Sequence, residues 1–308
     1  MHSLVSLLHV LVLCQLLFLP LVLGTTFGYD EDDGPHKWPR LFKECGGKYQ
    51  SPINIEHKMV KVKTFRALQF HGFDQLPLNT HIKNNGHSVE VRLDTDEPIQ
   101  ISGGPLHRNS YTLEQMHFHW GRNDSVGSEN TINGHPYPME VHLVFFKTIY
   151  GTFANALKSG EDALTVLALL VERSEKNNRA YAELFDHVTK VNVPSQKMDL
   201  PYPLPLYYLL PNNTENYYTY HGSLTTPPCL EVVTWIEFTT PIPVSHQQLE
   251  MIRKLYSDHG PLAENYRPVQ ELHGRTIYYN ERNSSPPLLN IYTNLVIFVI
   301  NCLLIRYI

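Results

Sequence analysis

Three histidines lie on two segments whose patterns are typical of β-strands. His117 and His119 are two residues apart in the alternating run from Tyr111 to Trp120, and His142 lies in the run from Met139 to Lys147. Because strand side chains alternate between faces, His117 and His119 point the same way. A lone His-x-His pair is more often two half-buried strand residues. Antiparallel pairing of the two strands would add His142, and three imidazoles that leave one tetrahedral position open are typical of a catalytic zinc site.

Two polar residues share the faces of these histidines. Gln115 lies two residues before His117, and Glu140 lies two residues before His142. A metal-bound histidine usually donates its other ring N–H to an amide, a carboxylate or a carbonyl group, which fixes its tautomer. Their position favours this supporting role over that of ordinary polar strand residues. A two-metal enzyme such as a copper/zinc dismutase would need further clustered histidines and an aspartate, and we find no such set in the sequence.

The chain that carries these residues has the composition of a globular protein. It has 308 residues, of which 42% are hydrophobic and 18% are charged, and this balance argues against intrinsic disorder. The formal net charge is −5 and there is no dense Lys/Arg run, so we do not expect nucleic-acid binding. The segment 25–283 has no internal repeat and no low-complexity linker, which predicts one domain.

Strand patterns dominate this segment. Besides the two histidine-bearing runs, His87 to Leu93 alternates and Leu230 to Phe238 is apolar and β-branched. Gly160 to Val171 has helical spacing, but its continuous apolarity suits a buried strand equally well. The best helix prediction is Ser245 to His259, where a serine N-cap and Gln248 form the pattern of a capping box. The predicted class is therefore α+β and rich in strands.

Both ends of the chain are apolar. Residues 1–24 predict a cleaved signal peptide, with a transmembrane anchor as the alternative. Residues 284–308 form a C-terminal tail whose apolar part, Leu288 to Ile308, is short and interrupted by asparagines, which makes it a poor spanning helix. The small residues Asn283-Ser284-Ser285 come before this apolar part, an order typical of a GPI-attachment signal whose tail is removed. We therefore favour a GPI anchor at the cell surface over a single C-terminal membrane helix, and secretion is a further alternative.

The cysteines agree with an extracellular location. Only Cys45 and Cys229 of the four cysteines remain once both ends are set aside, and in an oxidising compartment this pair can form a disulfide. Two unrelated buried thiols are the alternative. Sequons at Asn123 and Asn212 are candidate glycosylation sites. A third sequon begins at Asn283 and competes with lipid attachment there.

Several separate motifs occur in a fixed order along the chain. They are Gln50-Ser51-Pro52-Ile53-Asn54, Asn84-Asn85-Gly86-His87, Gln115 to Gly121, Gly127-Ser128-Glu129 and Gly222 to Cys229. This order is similar to that of the α-class carbonic anhydrases, from Phe27 to about Ile277, and the cysteine pair and tail resemble their extracellular, GPI-linked members. The resemblance implies one domain around a large twisted, mostly antiparallel sheet with short peripheral helices, and a zinc ion at the bottom of a conical cleft.

The resemblance also implies the reaction, which is reversible hydration of CO₂ to bicarbonate and a proton. Zn²⁺ held by the three histidines would carry a hydroxide that attacks CO₂. Thr225 and Glu129 resemble the pair that orients this hydroxide, and Thr226 would line the substrate position. The residues that match the family's apolar wall for CO₂ are Val144, Val166, Leu224, Val233 and Trp235. Apart from CO₂ or bicarbonate and the membrane, the sequence indicates no obligate partner.

A histidine of ordinary pKa suits removal of the proton at neutral pH. His87 occupies the family's proton-shuttle position, and Tyr29 and Asn85 would help order the connecting waters. Without the resemblance, His87 would be read as a surface residue at a strand start. Glu90 stands where a neutral amide is common, so we expect it to raise the pKa of His87.

Other departures from the family pattern leave the three histidines and Thr225 in place. Asn130 follows Glu129 where a histidine is usual, which questions the local support of Glu129. Met116 and the pair Phe145-Phe146 also differ from the usual residues. Inactive members that serve as binding or adhesion modules typically lose a ligand histidine. We therefore expect an active enzyme, with the binding module as the alternative.

Overall fold

Strands make up most of the regular structure in the computed structural model, which describes residues 27–282. The predicted signal peptide (1–24), Asn283, Ser284 and the tail (284–308) lie outside the described residues. The strands are, in chain order, β1 (Asn54–Ile55), β2 (Lys61–Val62), β3 (Leu68–His71), β4 (Asn79–Asn84), β5 (Val89–Asp94), β6 (Gln100–Gly103), β7 (Ser110–Trp120), β8 (Thr131–Ile132), β9 (Met139–Lys147), β10 (Leu164–Ser174), β11 (Lys197–Asp199), β12 (Tyr217–Gly222), β13 (Val233–Ser245), β14 (Tyr256–Ser257), β15 (Gly260–Pro261) and β16 (Tyr278–Asn280).

The helices are short and lie around the strands. The α-helices are α1 (Trp38–Leu41), α2 (Phe153–Ala156), α3 (Arg179–Val188) and α4 (His246–Ile252). Short 3₁₀ turns lie at Lys43–Gly46, His57–Met59, Gly104–Leu106, Thr148–Tyr150, Thr189–Val191 and Leu206–Leu209. Within residues 27–282, no helix is both long enough and apolar enough to cross a membrane.

Twelve strands form one sheet. Ten of them follow the order β11-β4-β5-β7-β9-β10-β13-β12-β16-β2, and β6 pairs with both β3 and β7. Neighbours in this sheet are antiparallel except for the pairs β10–β13 and β16–β2, which are parallel. The prediction of a β-rich α+β fold around a large, mostly antiparallel sheet is confirmed.

The middle strands of this sheet are buried on both faces. Along β9, Leu143 and Phe145 belong to one hydrophobic cluster, and the alternate residues Val144 and Phe146 belong to another. This period of two is what a strand between two packed layers requires. The segment that suited a helix or a buried strand equally well is strand β10, whose first eight residues are all buried.

Helix α4 begins as the sequence predicts and ends earlier. The Ser245 side chain accepts from the backbone N–H of Gln248, and the Gln248 side chain accepts from Ser245 in return, which completes the capping box. The helix stops at Ile252, because the following residues form the hairpin β14–β15. The predicted extension to His259 is therefore wrong.

Candidate metal centre

The pairing of β7 with β9 brings the three histidines together. His117 lies directly opposite His142 in this antiparallel register, and His119 lies opposite Glu140. One ring nitrogen from each histidine lies within 4.8 Å of the other two. His119 and His142 are buried and His117 is half-buried, so the cluster lies below the surface with one side open.

The other ring nitrogen of each histidine has a partner of its own. These contacts join His117 Nδ1 to the Gln115 side-chain oxygen (3.0 Å), His119 Nδ1 to the Asn265 carbonyl oxygen (2.8 Å), and His142 Nε2 to a Glu140 carboxylate oxygen (2.7 Å). Each acceptor fixes a tautomer whose remaining nitrogen faces the cluster. Gln115 and Glu140 thus lie against His117 and His142, and the Asn265 carbonyl makes a third such contact, which the sequence analysis missed.

The electrostatics of the cluster favour a metal ion. Burial lowers the pKa of His117 and of His119 well below the ordinary value, and the neighbouring His142 lowers both further. Both rings are therefore neutral and keep a lone pair for a metal. His119 Nε2 is buried and has no hydrogen-bond partner among residues 27–282. A divalent ion bound by three imidazoles would satisfy this orphaned nitrogen.

Glu129 and Thr225 lie beside this cluster. One Glu129 oxygen accepts from the Arg267 backbone N–H at 2.9 Å, and the other lies 3.4 Å from His119 Nε2. Burial and the charge of Glu140 raise the pKa of Glu129 well above its ordinary value, whereas the Thr225 hydroxyl lowers it. Thr225 is also buried, and its side chain hydrogen-bonds to Glu129 beside the histidine cluster.

This arrangement agrees with the comparison to known proteins. The model of the eukaryotic-type carbonic anhydrase family matches residues 33–281. Carbonic anhydrase 7 of Mus musculus is 37% identical over 259 residues, which cover 82% of this chain and 96% of that protein. Putative carbonic anhydrase 3 of Caenorhabditis elegans is 38% identical over 261 residues, or 81% and 95% of the two chains. Carbonic anhydrase 12 of Homo sapiens is 33% identical over 266 residues, or 83% and 73%.

The chain belongs to the carbonic anhydrase family. As an α-class carbonic anhydrase it is a lyase that interconverts CO₂ and bicarbonate and uses zinc. The three-histidine cluster fits that metal, because it supplies three imidazole nitrogen ligands and no thiolate.

An apolar wall faces the histidines in this carbonic anhydrase. Val144 pairs with Val166, and Val166 pairs with Trp235 on the next strand. The wall residues Val144, Val166, Val233 and Trp235 belong to one buried cluster, with Leu224 packed against it. The Trp235 ring lies 4.9 Å from that of His142, and its N–H donates to the Ser223 carbonyl oxygen at 3.1 Å. The predicted wall residues therefore lie together beside the metal cluster.

His87 follows a turn that its neighbours build. Gly86 has a φ of 89°, which a side chain would disfavour. The Asn85 side-chain oxygen accepts from the backbone N–H groups of His87 and Ser88 at 3.0 and 2.8 Å. The His87 ring stacks on Phe27 with a centroid distance of 4.0 Å. Asn85 therefore shapes the turn, and Phe27, which sequence reasoning did not single out, covers one face of the His87 ring.

The expectation that Glu90 raises the pKa of His87 is wrong. Burial lowers the pKa of His87, against smaller raising effects of Asp258 and Asp33. The Glu90 carboxylate accepts from the Arg92 guanidinium at 2.6 Å. Glu90 is therefore engaged with a cation two residues along its own strand.

Tyr29 packs near the same site. Its ring makes an edge contact with Trp38 at 5.7 Å. Burial and the charge of Glu129 raise the pKa of its hydroxyl well above the ordinary value. Tyr29 is therefore protonated across the physiological range and close enough to Glu129 for the two to interact.

The predicted disulfide between Cys45 and Cys229 is confirmed. The two residues are bonded and their Cα atoms are 4.8 Å apart. Cys229 ends the loop that carries Thr225 and Thr226, and its backbone N–H donates to the Thr226 carbonyl oxygen at 2.9 Å. The bond therefore ties the N-terminal segment to this loop.

Two predictions concern the surface and stay predictions. Asn123 and Asn212, the candidate glycosylation sites, are both exposed. The Asn123 side-chain oxygen accepts from the Ser125 backbone N–H at 2.9 Å, so the middle of that sequon forms a tight turn.

Proposed function

We propose that His117, His119 and His142 hold the zinc ion of an enzyme that hydrates CO₂ at the outer face of the cell. The observation that carries this proposal is the convergence of three ring nitrogens within 4.8 Å of one another. Their other nitrogens are each engaged, so the geometry is built before any metal arrives. Zinc, when bound, supplies a Lewis acid that activates water at neutral pH, as is established for carbonic anhydrases.

Thr225 and Glu129 orient the reacting oxygen in this proposal. The Glu129 carboxylate is held from behind by the Arg267 backbone N–H at 2.9 Å. The Glu129 oxygen fixed there accepts a hydrogen bond from the Thr225 hydroxyl, which leaves the Thr225 oxygen free to accept from the reacting group. Alignment of this kind lowers the barrier because the orientation is fixed before reaction. Thr226, half-buried on the same loop, lines the position of bicarbonate.

The wall of Val144, Val166, Leu224, Val233 and Trp235 holds CO₂. CO₂ has no net charge, so an apolar surface can receive it without a dedicated polar contact. The same surface excludes ordered water from the space beside the three histidines.

His87 carries the released proton outwards in this proposal. Its ring lies in a surface cavity of about 380 Å³. Because its pKa is lowered, the ring is mostly neutral at pH 7 and can accept a proton. The turn shaped by Asn85 fixes the backbone of His87, and Tyr29 also lines this cavity, where its hydroxyl can order water.

The extracellular location is supported by several features together. Cytosolic conditions keep most thiols reduced, whereas Cys45 and Cys229 are bonded. Both sequon asparagines of the described chain are exposed. We propose that residues 1–24 are removed and that residues 25–283 form the mature enzyme. A GPI anchor on Asn283 or Ser284 replaces the part of the tail that follows the attachment residue. A spanning C-terminal helix and a secreted enzyme are the alternatives.

The proposed reaction is tested by stopped-flow CO₂ hydration and zinc analysis on the same purified sample. We expect rapid hydration with about one zinc per chain, lower zinc content in His119→Ala, and retained zinc with slow hydration in Thr225→Ala. His187→Ala is the control, because it removes a histidine of helix α3 that hydrogen-bonds within its own helix, to the Glu183 carbonyl oxygen. Full zinc content without hydration in the unmodified enzyme would favour a binding module instead.

The anchor is tested on intact cells. A phosphatidylinositol-specific lipase should release the enzyme, and peptides from residues 288–308 should be absent from the mature chain. Retention at the surface together with recovery of those peptides would favour the membrane helix, whereas enzyme found only in the medium would favour secretion.

A further inference from the structure

A third buried acid, besides Glu129 and Glu140, lies behind the metal cluster. Glu237, on the central strand β13, is 0% exposed. Its side chain makes one hydrogen bond, from Asn130 Nδ2 to Glu237 Oε2 at 2.9 Å. Its other oxygen is buried without a partner among residues 27–282. A carboxyl group is costly to bury, so a residue held in this way calls for a physical explanation.

The sheet places Glu237 in the same row as one of the histidines. Glu237 lies opposite Ala168 on β10, and Ala168 lies opposite His142 on β9. Residues directly opposite each other in a sheet share a face. Ala168, in the middle of the row, has only a small side chain, and Asn130 hydrogen-bonds to Glu237.

Asn130 connects the two carboxyl groups. Its Nδ2 donates to Glu140 Oε1 at 3.1 Å as well as to Glu237. Its Oδ1 accepts from the Tyr220 hydroxyl at 2.9 Å and from the Ile53 backbone N–H at 3.1 Å. All four hydrogen-bonding positions of this buried amide are therefore used.

The Glu140 carboxylate is the group that touches His142. Glu140 Oε1 lies 2.7 Å from His142 Nε2 and also accepts from Asn130. Glu140 Oε2 accepts from the backbone N–H groups of Glu129 and Asn130 at 2.9 and 2.8 Å. The amide of Asn130 is thus the only side chain among the described residues, apart from His142 itself, that hydrogen-bonds to the Glu140 carboxylate.

We propose that Glu237 is a positioning residue of the metal site, which acts through Asn130 to hold the Glu140 carboxylate against His142. This inference rests on the proposed zinc ligands. Without Glu237, one N–H of the Asn130 amide would lose its acceptor in a buried place. The amide would then turn towards a new partner at the expense of its bond to Glu140. Partners behind a metal ligand typically change metal affinity 10–100-fold, so an indirect one should contribute about tenfold.

The protonation of the Glu237 side chain indicates which variant should preserve its role. Burial and the charge of Glu140 raise the pKa of Glu237 well above its ordinary value, which favours the protonated form. A glutamine has the same length, is also neutral, and offers Asn130 the same acceptor oxygen. Glu237→Gln should therefore keep the network, whereas Glu237→Leu removes the acceptor while keeping the site filled.

The experiment measures the rate of zinc loss into excess dipicolinate, together with the visible spectrum of the Co²⁺-substituted enzyme. We expect Glu237→Leu to lose zinc about tenfold faster than the parent and to have an altered Co²⁺ spectrum. Glu237→Gln should lose zinc at a rate within about threefold of the parental rate. The matched control is Thr165→Val, which removes a buried hydroxyl bonded to the Thr234 carbonyl oxygen in the same sheet. It should lose zinc at the parental rate.

Three outcomes would overturn the inference. They are an unchanged rate in folded Glu237→Leu, a rate in Glu237→Gln as fast as in Glu237→Leu, and an equal acceleration in Thr165→Val. If Glu237→Leu fails to fold, Glu237→Thr, whose shorter side chain cannot reach Asn130, takes its place. A parent enzyme that binds no zinc would refute the proposed function itself. If the parent binds zinc and hydrates CO₂ while Glu237→Leu loses zinc at the parental rate, only the role of Glu237 is refuted.

Discussion

Removal of the Cys45–Cys229 disulfide should destabilise this carbonic anhydrase strongly. The bond closes a loop with a sequence separation of 184 residues. For a loop of this length, the chain-entropy model gives a loss of about 5 kcal/mol in the free energy of unfolding. We therefore expect the Cys45→Ala/Cys229→Ala double variant to unfold about 5 kcal/mol more easily, and with a urea m-value of about 2.5 kcal/mol/M its midpoint should fall by about 2 M.

The measurement is equilibrium urea unfolding, followed by both fluorescence and circular dichroism. The matched control is the parent enzyme unfolded with a reductant present, which should behave like the double variant because both unfolded chains then lack the cross-link. A decrease of less than about 1 kcal/mol in the double variant would refute the entropic reasoning. A large decrease in the variant with none in the reduced parent would assign the effect to lost packing instead.

The same variant should keep its activity under native conditions. The loop that carries Thr225 has further attachments, since the Ser51 backbone N–H donates to Ser223 Oγ at 2.9 Å and the Ser223 N–H donates to Ser51 Oγ at 3.1 Å. We expect CO₂ hydration within about threefold of the parent, a change of less than 1 kcal/mol in the barrier. Loss of CO₂ hydration activity in the folded variant would mean that the two Ser51–Ser223 hydrogen bonds cannot hold the Thr225 loop without the disulfide.

Three further predictions concern proton transfer and metal binding. His87→Ala should lower kcat for hydration about 100-fold in dilute buffer, with recovery in concentrated imidazole; equal rates in both buffers would exclude His87 as the shuttle. Because burial lowers the pKa of His87, its proton-accepting neutral form persists to more acidic pH than that of a free imidazole. Phe27→Ala should expose the His87 ring and raise its pKa, so the acid limb of the pH–kcat profile should move to higher pH. Phe27→Tyr, the control, should leave the acid limb in place. An acid limb that does not move in Phe27→Ala would contradict this reasoning. Gln115→Ala removes the hydrogen-bond acceptor of His117 and should weaken zinc affinity about tenfold in chelator competition. Gln115→Glu is the control, because it keeps an acceptor. Equal zinc affinities of Gln115→Ala and the parent would show that this contact does not support zinc binding.

The histidine cluster can be predicted from the sequence, because its geometry follows from the alternation of side chains along two strands. The alternation along β7 and β9 places His117 and His119 on one face and His142 opposite them. The support of His119 could not be predicted in this way, because it comes from the main-chain carbonyl of Asn265. Any residue type can supply a carbonyl oxygen, so the amino-acid sequence carries no signal for it.

Two errors had signals that were present in the sequence. Helix α3 was not predicted, although Asn178 caps it and its buried residues recur at helical spacing. The effect of Glu90 was misjudged because Arg92 lies two residues further on the same strand face and takes up its charge. By contrast, the stacking of Phe27 on His87 joins segments about 60 residues apart, and only the folded chain brings them together.

The parallel pair β10–β13 has a consequence for how the enzyme matures. All three candidate ligands lie on one antiparallel strand pair, β7–β9, whose ends are close in the sequence. The apolar wall and the Thr225 loop instead depend on strands whose partners, such as Leu164 and Val233, are 69 positions apart. Contacts between distant segments form more slowly than local ones, because a long loop must close first. We therefore expect the strand pair that carries the three histidines to form before the apolar wall, and the Asn265 carbonyl behind His119 to join only when the C-terminal part of the chain folds.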